Sequence, residues 1–169
     1  CLHWNGSKIQ LVATDHTNLS EYDKDSLPDA SHLKVGLVVS EWNPEITTSL
    51  FEAAQTTLLE NGIWQNNIFK TDVPGSFELI MGCKHMIKEN KPDAVIAIGS
   101  VIQGETRHFE FVCQAVAQGI KDLNVQSNTP VIFCVLTDNT LQQARDRSGG
   151  KHGNKGVESA IAAIRMATL

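Results

Sequence analysis

Ala94-Val95-Ile96-Ala97-Ile98-Gly99 is the stretch on which the fold turns. It is short and apolar throughout, rich in β-branched residues, and bounded by Pro92-Asp93 on one side and a glycine on the other. A strand buried on only one face would alternate apolar and polar side chains. An unbroken run of this length is the pattern of a strand buried on both faces, as in the middle of a parallel sheet. Working outward, Val35-Gly36-Leu37-Val38-Val39 and Pro130-Val131-Ile132-Phe133-Cys134-Val135-Leu136 have the same character, and Asn67-Ile68-Phe69-Lys70-Thr71 is a more polar version.

Helical patterns separate these runs. Asn43-Pro44 predicts an N-cap followed by proline at the first helical position, and Ile46, Leu50, Ala53, Ala54 and Leu58 follow at helical spacing until Asn61-Gly62. Val73-Pro74-Gly75 turns the chain into a second helix carrying Phe77, Leu79, Ile80, Met81 and Met86. A third carries Phe109, Val112, Cys113, Val116 and Ile120, and two more lie around Leu141–Arg147 and Val157–Ala167. Strand and helix in alternation imply parallel pairing through right-handed crossovers. The expected architecture is α/β: a three-layer α/β/α sandwich on a four-stranded parallel sheet, with flavodoxin-like topology.

A chain of 169 residues with 41% hydrophobic content supports one domain. Residues 1–32 read as a polar, aperiodic arm, of which 1–13 read as an extension foreign to the domain. Residues 33–169 read as the domain itself. A formal charge of −5 argues against nucleic acid or an anionic membrane as the main partner. No apolar run approaches a membrane span, and residues 1–10 lack the features of a secretory signal. The four cysteines form no C-x-x-C pair. Cys83, Cys113 and Cys134 lie in apolar segments, which reads as buried thiols in a reducing, cytoplasmic compartment. No cluster of Cys, His and carboxylates has ligand spacing, so no metal is expected.

In parallel α/β sheets, ligands bind at the carboxyl ends of the strands. Ser40-Glu41-Trp42-Asn43-Pro44 follows the first strand; Trp42 offers a face for ring stacking, though a rim aromatic packing on its neighbours is the commoner case. After the second strand, Val73-Pro74-Gly75-Ser76-Phe77-Glu78 opens a helix whose first N–H groups can meet a polar ligand. Glu78 can accept from hydroxyls or simply balance the helix dipole. After the third strand, Gly104, Glu105 and Thr106 suit an anion cradle, Arg107 adds charge, and His108 is a candidate acid–base group, weighed evenly against a surface histidine. The stretch from Arg145 to Gly156 gathers glycines and cations, but it lacks the order of a nucleotide P-loop, and no G-x-G-x-x-G follows the first strand. The first and third strands also lack the terminal acidic cluster of a response-regulator-like signalling domain.

Taken in order, Trp42-Asn43, Val73-Pro74-Gly75-Ser76-Phe77-Glu78-Leu79, Gly104-Glu105-Thr106-Arg107-His108-Phe109, Pro130-Val131-Ile132-Phe133 and Gly153-Asn154-Lys155-Gly156 resemble the lumazine synthase family. The resemblance runs from about Lys34 to the C-terminus. It implies condensation of a ribitylamino-pyrimidine with a butanone phosphate, without metal or cofactor. It implies Trp42 stacking on the pyrimidine with Asn43 beside it, and Ser76, Phe77 and Glu78 along the ribityl chain. Val101 and Ile102 would contact the pyrimidine edge. Gly104, Glu105 and Thr106 would belong to the phosphate cradle, with His108 as proton shuttle, Arg147 on the phosphate and Lys155 nearby. Phe133 would reach in from a neighbouring subunit. The resemblance further implies homopentamers with sites between subunits. The short loop 148–154 is similar to that of members forming 60-subunit shells, for which riboflavin synthase is an enclosed partner. The polar arm would add a strand to a neighbour's sheet. Departures are Gln103 where the family usually carries Arg or Lys, Cys134 for a usual glycine, and Ser148 for a usual alanine. A carrier that binds lumazine or flavin without turnover, and a riboflavin synthase of the related archaeal type, are the competing readings.

Overall fold

The computed structural model describes residues 18–169. The expectation for residues 1–13 lies outside them. Four parallel strands, β1 (Val35–Ser40), β2 (Ile68–Val73), β3 (Ala94–Ile102) and β4 (Val131–Asp138), form one sheet in the order β2-β1-β3-β4. Helices α1 (Pro44–Glu60), α4 (Leu141–Arg147) and α5 (Lys155–Ala167) cover one face, and α2 (Leu79–Asn90) and α3 (His108–Gln126) the other. This is the three-layer α/β sandwich expected, with its flavodoxin-like strand order.

Each layer follows from side-chain spacing. Ile46, Leu50, Ala54 and Leu58 of α1 meet Ala160, Ala163 and Ile164 of α5 over Leu37, Ile96 and Ile98. On the opposite face Leu79, Cys83 and Met86 of α2 and Val116, Ile120 and Leu123 of α3 cover Val38, Val95, Ala97 and Val135. Alternate residues of each central strand feed the two cores, which is why β1 and the first seven residues of β3 are buried without interruption. Asp93 pins the entrance to this pairing: its carboxylate and N–H bond the N–H and carbonyl of Lys34.

Several boundaries differ from expectation. β3 and β4 continue to Ile102 and Asp138, because their mutual ladder persists beyond the point where both faces are covered. Phe77 lies outside α2, in the turn that precedes it. The amides of Glu78 and Leu79 already bond the carbonyls of Gly75 and Ser76, so the start of α2 does not offer them to a ligand. Residues 148–154 form a small antiparallel pair, β5 (Ser148–Gly150) with β6 (Gly153–Asn154), where only a loop was expected. Cys113 is half-buried rather than buried, since it lies beside the exposed face of α3. Residues 18–32 hold a 3-10 turn at Lys24–Ser26 and pack on their own domain. The Leu19 N–H donates to the His152 carbonyl, Ser20 Oγ accepts from the Asn154 N–H, and Asn61 donates to the Tyr22 hydroxyl.

Asn43 does occupy the cap position of α1, and Pro44 begins the helix, but its side chain does not cap. The residue adopts φ 57°, ψ 57°, and its Nδ2 donates to the carbonyl of Ser100 at 3.0 Å. Asn tolerates the left-handed region better than most residues, and the bond ties the end of β1 to the end of β3. Asn43→Ala should therefore lower stability by about 1–2 kcal/mol, from one lost hydrogen bond and an alanine held at positive φ. Urea denaturation of the two proteins measures it; an unchanged midpoint would show that the bond contributes nothing.

Candidate active site

The strand order reverses between β1 and β3, and a cleft opens above their carboxyl ends, where open α/β sheets bind ligands. The cleft measures about 790 Å³. Three connections build it. The segment after β1 supplies Trp42 and Asn43, the turn after β2 supplies Gly75, Ser76, Phe77 and Glu78, and the end of β3 supplies Ser100, Val101 and Ile102. The start of α3 closes it with His108, Phe111, Val112 and Ala115.

Trp42 is 71% exposed, and Phe77 and Phe111 are also open to solvent. Three large aromatic surfaces left uncovered around one concavity are unusual for a surface with only a packing role. The floor is polar. The hydroxyls of Ser76 and Ser100 are buried and find no hydrogen-bond partner among the described residues, and Ser40 at the end of β1 shares this condition. Buried hydroxyls are normally satisfied, so two unpaired ones on residues that line the cleft set this surface apart from the core. Gly99 makes the arrangement possible: a Cβ there would lie 2.7 Å from Ser76 Oγ, so only glycine lets the turn after β2 settle onto β3. His108 sits at the first position of α3, and its N–H donates to Thr106 Oγ1 at 3.4 Å.

Of the residues picked out from sequence, Trp42, Asn43, Ser76, Phe77, Glu78, Val101, Ile102 and His108 meet in this cleft. Gly104, Glu105 and Thr106 form the exposed loop leading to His108. Arg147 and Lys155 lie elsewhere, in a second cavity of about 380 Å³ that Leu19, Thr137, Asp138 and Gln143 also line. Phe133 is 38% exposed on the edge strand β4 and lines neither. Phe111, Val112 and Ala115 were missed, although they stand three, four and seven residues after His108 and so share its helical face, a spacing readable from sequence. Ser100 was missed too: a serine inside a strand gives no sign that its hydroxyl lacks a partner. Among the described residues no group of three His, Cys, Asp or Glu could hold a metal ion. Burial pushes the Cys83 thiol up to about 12 and Cys134 to about 11, so neither is a nucleophile.

A family model for 6,7-dimethyl-8-ribityllumazine synthase matches residues 32–169. The chain belongs to that family. It is similar to the 6,7-dimethyl-8-ribityllumazine synthase of Christiangramia forsetii, 60% identical over 159 residues that cover 94% of this chain and 95% of that one. The synthase of Flavobacterium johnsoniae is 59% identical over 94% of this chain and 83% of its own length, and that of Porphyromonas gingivalis 49% identical over 94% and 98%. Likeness to these synthases spans both cavities. Among the described residues no helix is long and apolar enough to cross a membrane.

The second cavity contains a titratable group with a measurable consequence. Burial raises the Asp138 carboxyl above its usual range, and the Arg147 guanidinium only partly opposes this. A carboxyl whose folded value is raised penalises the fold once it ionises. The penalty is complete above the folded value and gone below the unfolded value near 3.9. Asp138→Asn should accordingly melt higher than the unmodified protein at about pH 7, and the gap should close as the pH approaches about 4. Calorimetric melts at both pH values check this; a gap independent of pH would contradict it.

Proposed function

We infer that this chain catalyses the condensation of 5-amino-6-(D-ribitylamino)uracil with 3,4-dihydroxy-2-butanone 4-phosphate to 6,7-dimethyl-8-ribityllumazine, with release of phosphate and water. Family membership identifies the reaction. The observation in the fold that carries it is the first cleft, where exposed aromatic walls stand over unpartnered serine hydroxyls. A flat heteroaromatic ring bearing a polyol matches that division, with the ring against apolar faces and the hydroxyls on Ser76 and Glu78. In this reading Trp42 stacks on the pyrimidine, and Asn43 holds the cleft's back wall through Ser100. The backbone of Val101 and Ile102 meets the pyrimidine edge, and Phe77 flanks the ribityl chain.

The chemistry is a sequence of proton transfers. The ring amine adds to the ketone and loses water to give an imine. Loss of the C3 proton and the C4 phosphate then leaves an enol, which takes a proton at C4 to become a new ketone, and the second amine closes on that carbonyl with loss of another water. An imidazole can both accept and deliver these protons, and His108 is the group at the rim of the cleft that can do so. Departure of phosphate is favoured by fixed positive charge, which Arg147 and Lys155 supply, with Gly104, Glu105 and Thr106 cradling the anion. Holding two substrates in register contributes the rest.

Within one chain Arg147 and Lys155 open into a cavity separate from that of His108. This division supports a site completed between subunits of a homopentamer, with the neighbour bringing Phe133. The short turn at 148–154 supports further assembly into a 60-subunit shell, for which riboflavin synthase would be an enclosed partner. Unpaired cysteines support the cytoplasm as the compartment.

Lumazine formation from both substrates, corrected for the uncatalysed reaction, tests the activity. His108→Ala should lower kcat on the order of a hundredfold, and Arg147→Ala should raise KM for the phosphate substrate as well. No acceleration over background from the folded protein would overturn the synthase reading in favour of a carrier, and turnover of lumazine alone would favour a riboflavin synthase. Light scattering of the native protein reports assembly: sixty chains of 18.5 kDa give a particle of about 1.1 MDa, whereas a five-chain mass would limit assembly to the pentamer.

A further inference from the structure

β4 ends on a carboxylate that the chemistry above does not use. Asp138 is only 7% exposed. Its Oδ1 lies 3.8 Å from Nη1 of Arg147, within reach of an ion pair but beyond a hydrogen bond, and its Oδ2 has no partner among the described residues. A structural Arg–carboxylate pair would be short and forked, as Arg145 is on Glu45 at 2.7 and 3.0 Å. Arg147 is instead steadied by the Gln143 carbonyl at 3.2 Å, which leaves the rest of its guanidinium for another acceptor. The backbone holds Asp138 rigidly, because its carbonyl accepts from the Gln103 N–H at the end of the β3–β4 ladder.

The charged groups lining the cavity are Arg147 at the end of α4, Lys155 at the head of α5, and Asp138 itself. The Lys155 ammonium also meets Glu158 at 2.6 Å. The arm contributes Leu19, and β3 contributes no titratable group to the lining. Any anion seated on Arg147 comes close to the Asp138 carboxylate, and like charges at that distance repel strongly in a poorly solvated pocket.

We propose that Asp138 is an internal counter-anion of the phosphate cavity: its carboxylate occupies the field of Arg147 and Lys155 in the empty pocket, competes with the incoming anion for Arg147, and yields by taking up a proton when that anion binds. This rests on reading the Arg147 cavity as the phosphate site. The competition limits how tightly free phosphate, a product, is retained. The proton uptake makes anion affinity rise as pH falls, and desolvation of Asp138 favours that uptake.

Inorganic sulfate is the probe, because it does not itself titrate near neutrality. Its binding to the full chain is measured by calorimetry at constant ionic strength, at about pH 5 and about pH 8, in buffers of different ionisation enthalpy so that proton uptake is counted. The unmodified protein should bind sulfate on the order of tenfold more tightly at the lower pH, with proton uptake. Asp138→Asn should bind on the order of tenfold more tightly than the unmodified protein at the higher pH, with that uptake lost. Asp138→Thr, smaller and uncharged, should do the same and serves if the asparagine variant does not fold. Equal or weaker binding in these variants, with proton uptake retained, overturns the proposal provided that Arg147→Ala abolishes binding. Sulfate binding that survives Arg147→Ala, or that is absent throughout, overturns instead the reading of this cavity as the phosphate site.

Discussion

The parallel pairing of β1 with β3, Val35 against Ala94 through Val39 against Ile98, is the constraint from which the rest follows. With β2 on the other side of β1, the chain crosses one face through α1 and returns over the other through α2. Consecutive connections therefore diverge at the β1–β3 seam, and the cleft opens above the carboxyl ends of those two strands. The Asn43 side chain bonded to the Ser100 carbonyl lies on this seam and holds its edges at a fixed separation. The cleft is thus a consequence of strand order, and the residues lining it are those that happen to follow β1, β2 and β3.

Stability and function make opposite demands on these positions. A core would bury Trp42, Phe77 and Phe111 and would pair Ser76 and Ser100. Here the aromatics face solvent and the hydroxyls lack partners, while two apolar clusters on either side of the sheet provide the stabilising burial. Asp138 fits the same pattern. A buried carboxyl with one unsatisfied oxygen is costly, and it stands in the cavity where the cations of the proposed phosphate site gather.

The second cavity depends on how α4 and the 148–154 turn are held. Arg145 forks onto Glu45 at the head of α1, Ser49 Oγ donates to the Ser148 carbonyl, and Asn154 returns bonds to Ser49. The exposed ion pair contributes little to stability by itself. Combined with the turn it fixes the orientation of the end of α4, and so of Arg147. A short turn braced in this way explains why a glycine-rich stretch that reads as a loop forms a two-stranded pair.

Local pattern was enough for much of this. Uninterrupted apolar runs identified β1, β3 and β4 and a more polar run β2, helical spacing identified the five helices, and turn residues located the segments after β1, β2 and β3 on which Trp42, Glu78 and His108 lie, because backbone periodicity and turn chemistry act over a few residues. The stripe of Phe111, Val112 and Ala115 on the face of His108 was equally local and equally legible. What lay beyond sequence concerns groups that only folding brings together. The partner of Asn43 is 57 residues away, Ser76 meets Gly99 across two strands, and the relation of Asp138 to Arg147 depends on where α4 docks. Sequence alone determined the four strands of the main sheet and the five helices, their order and the chemical types at the strand ends. Only the tertiary structure decided that His108 and Arg147 open into different cavities and that certain buried polar atoms lack partners, because hydrogen bonding and desolvation are set by the neighbours that folding brings together.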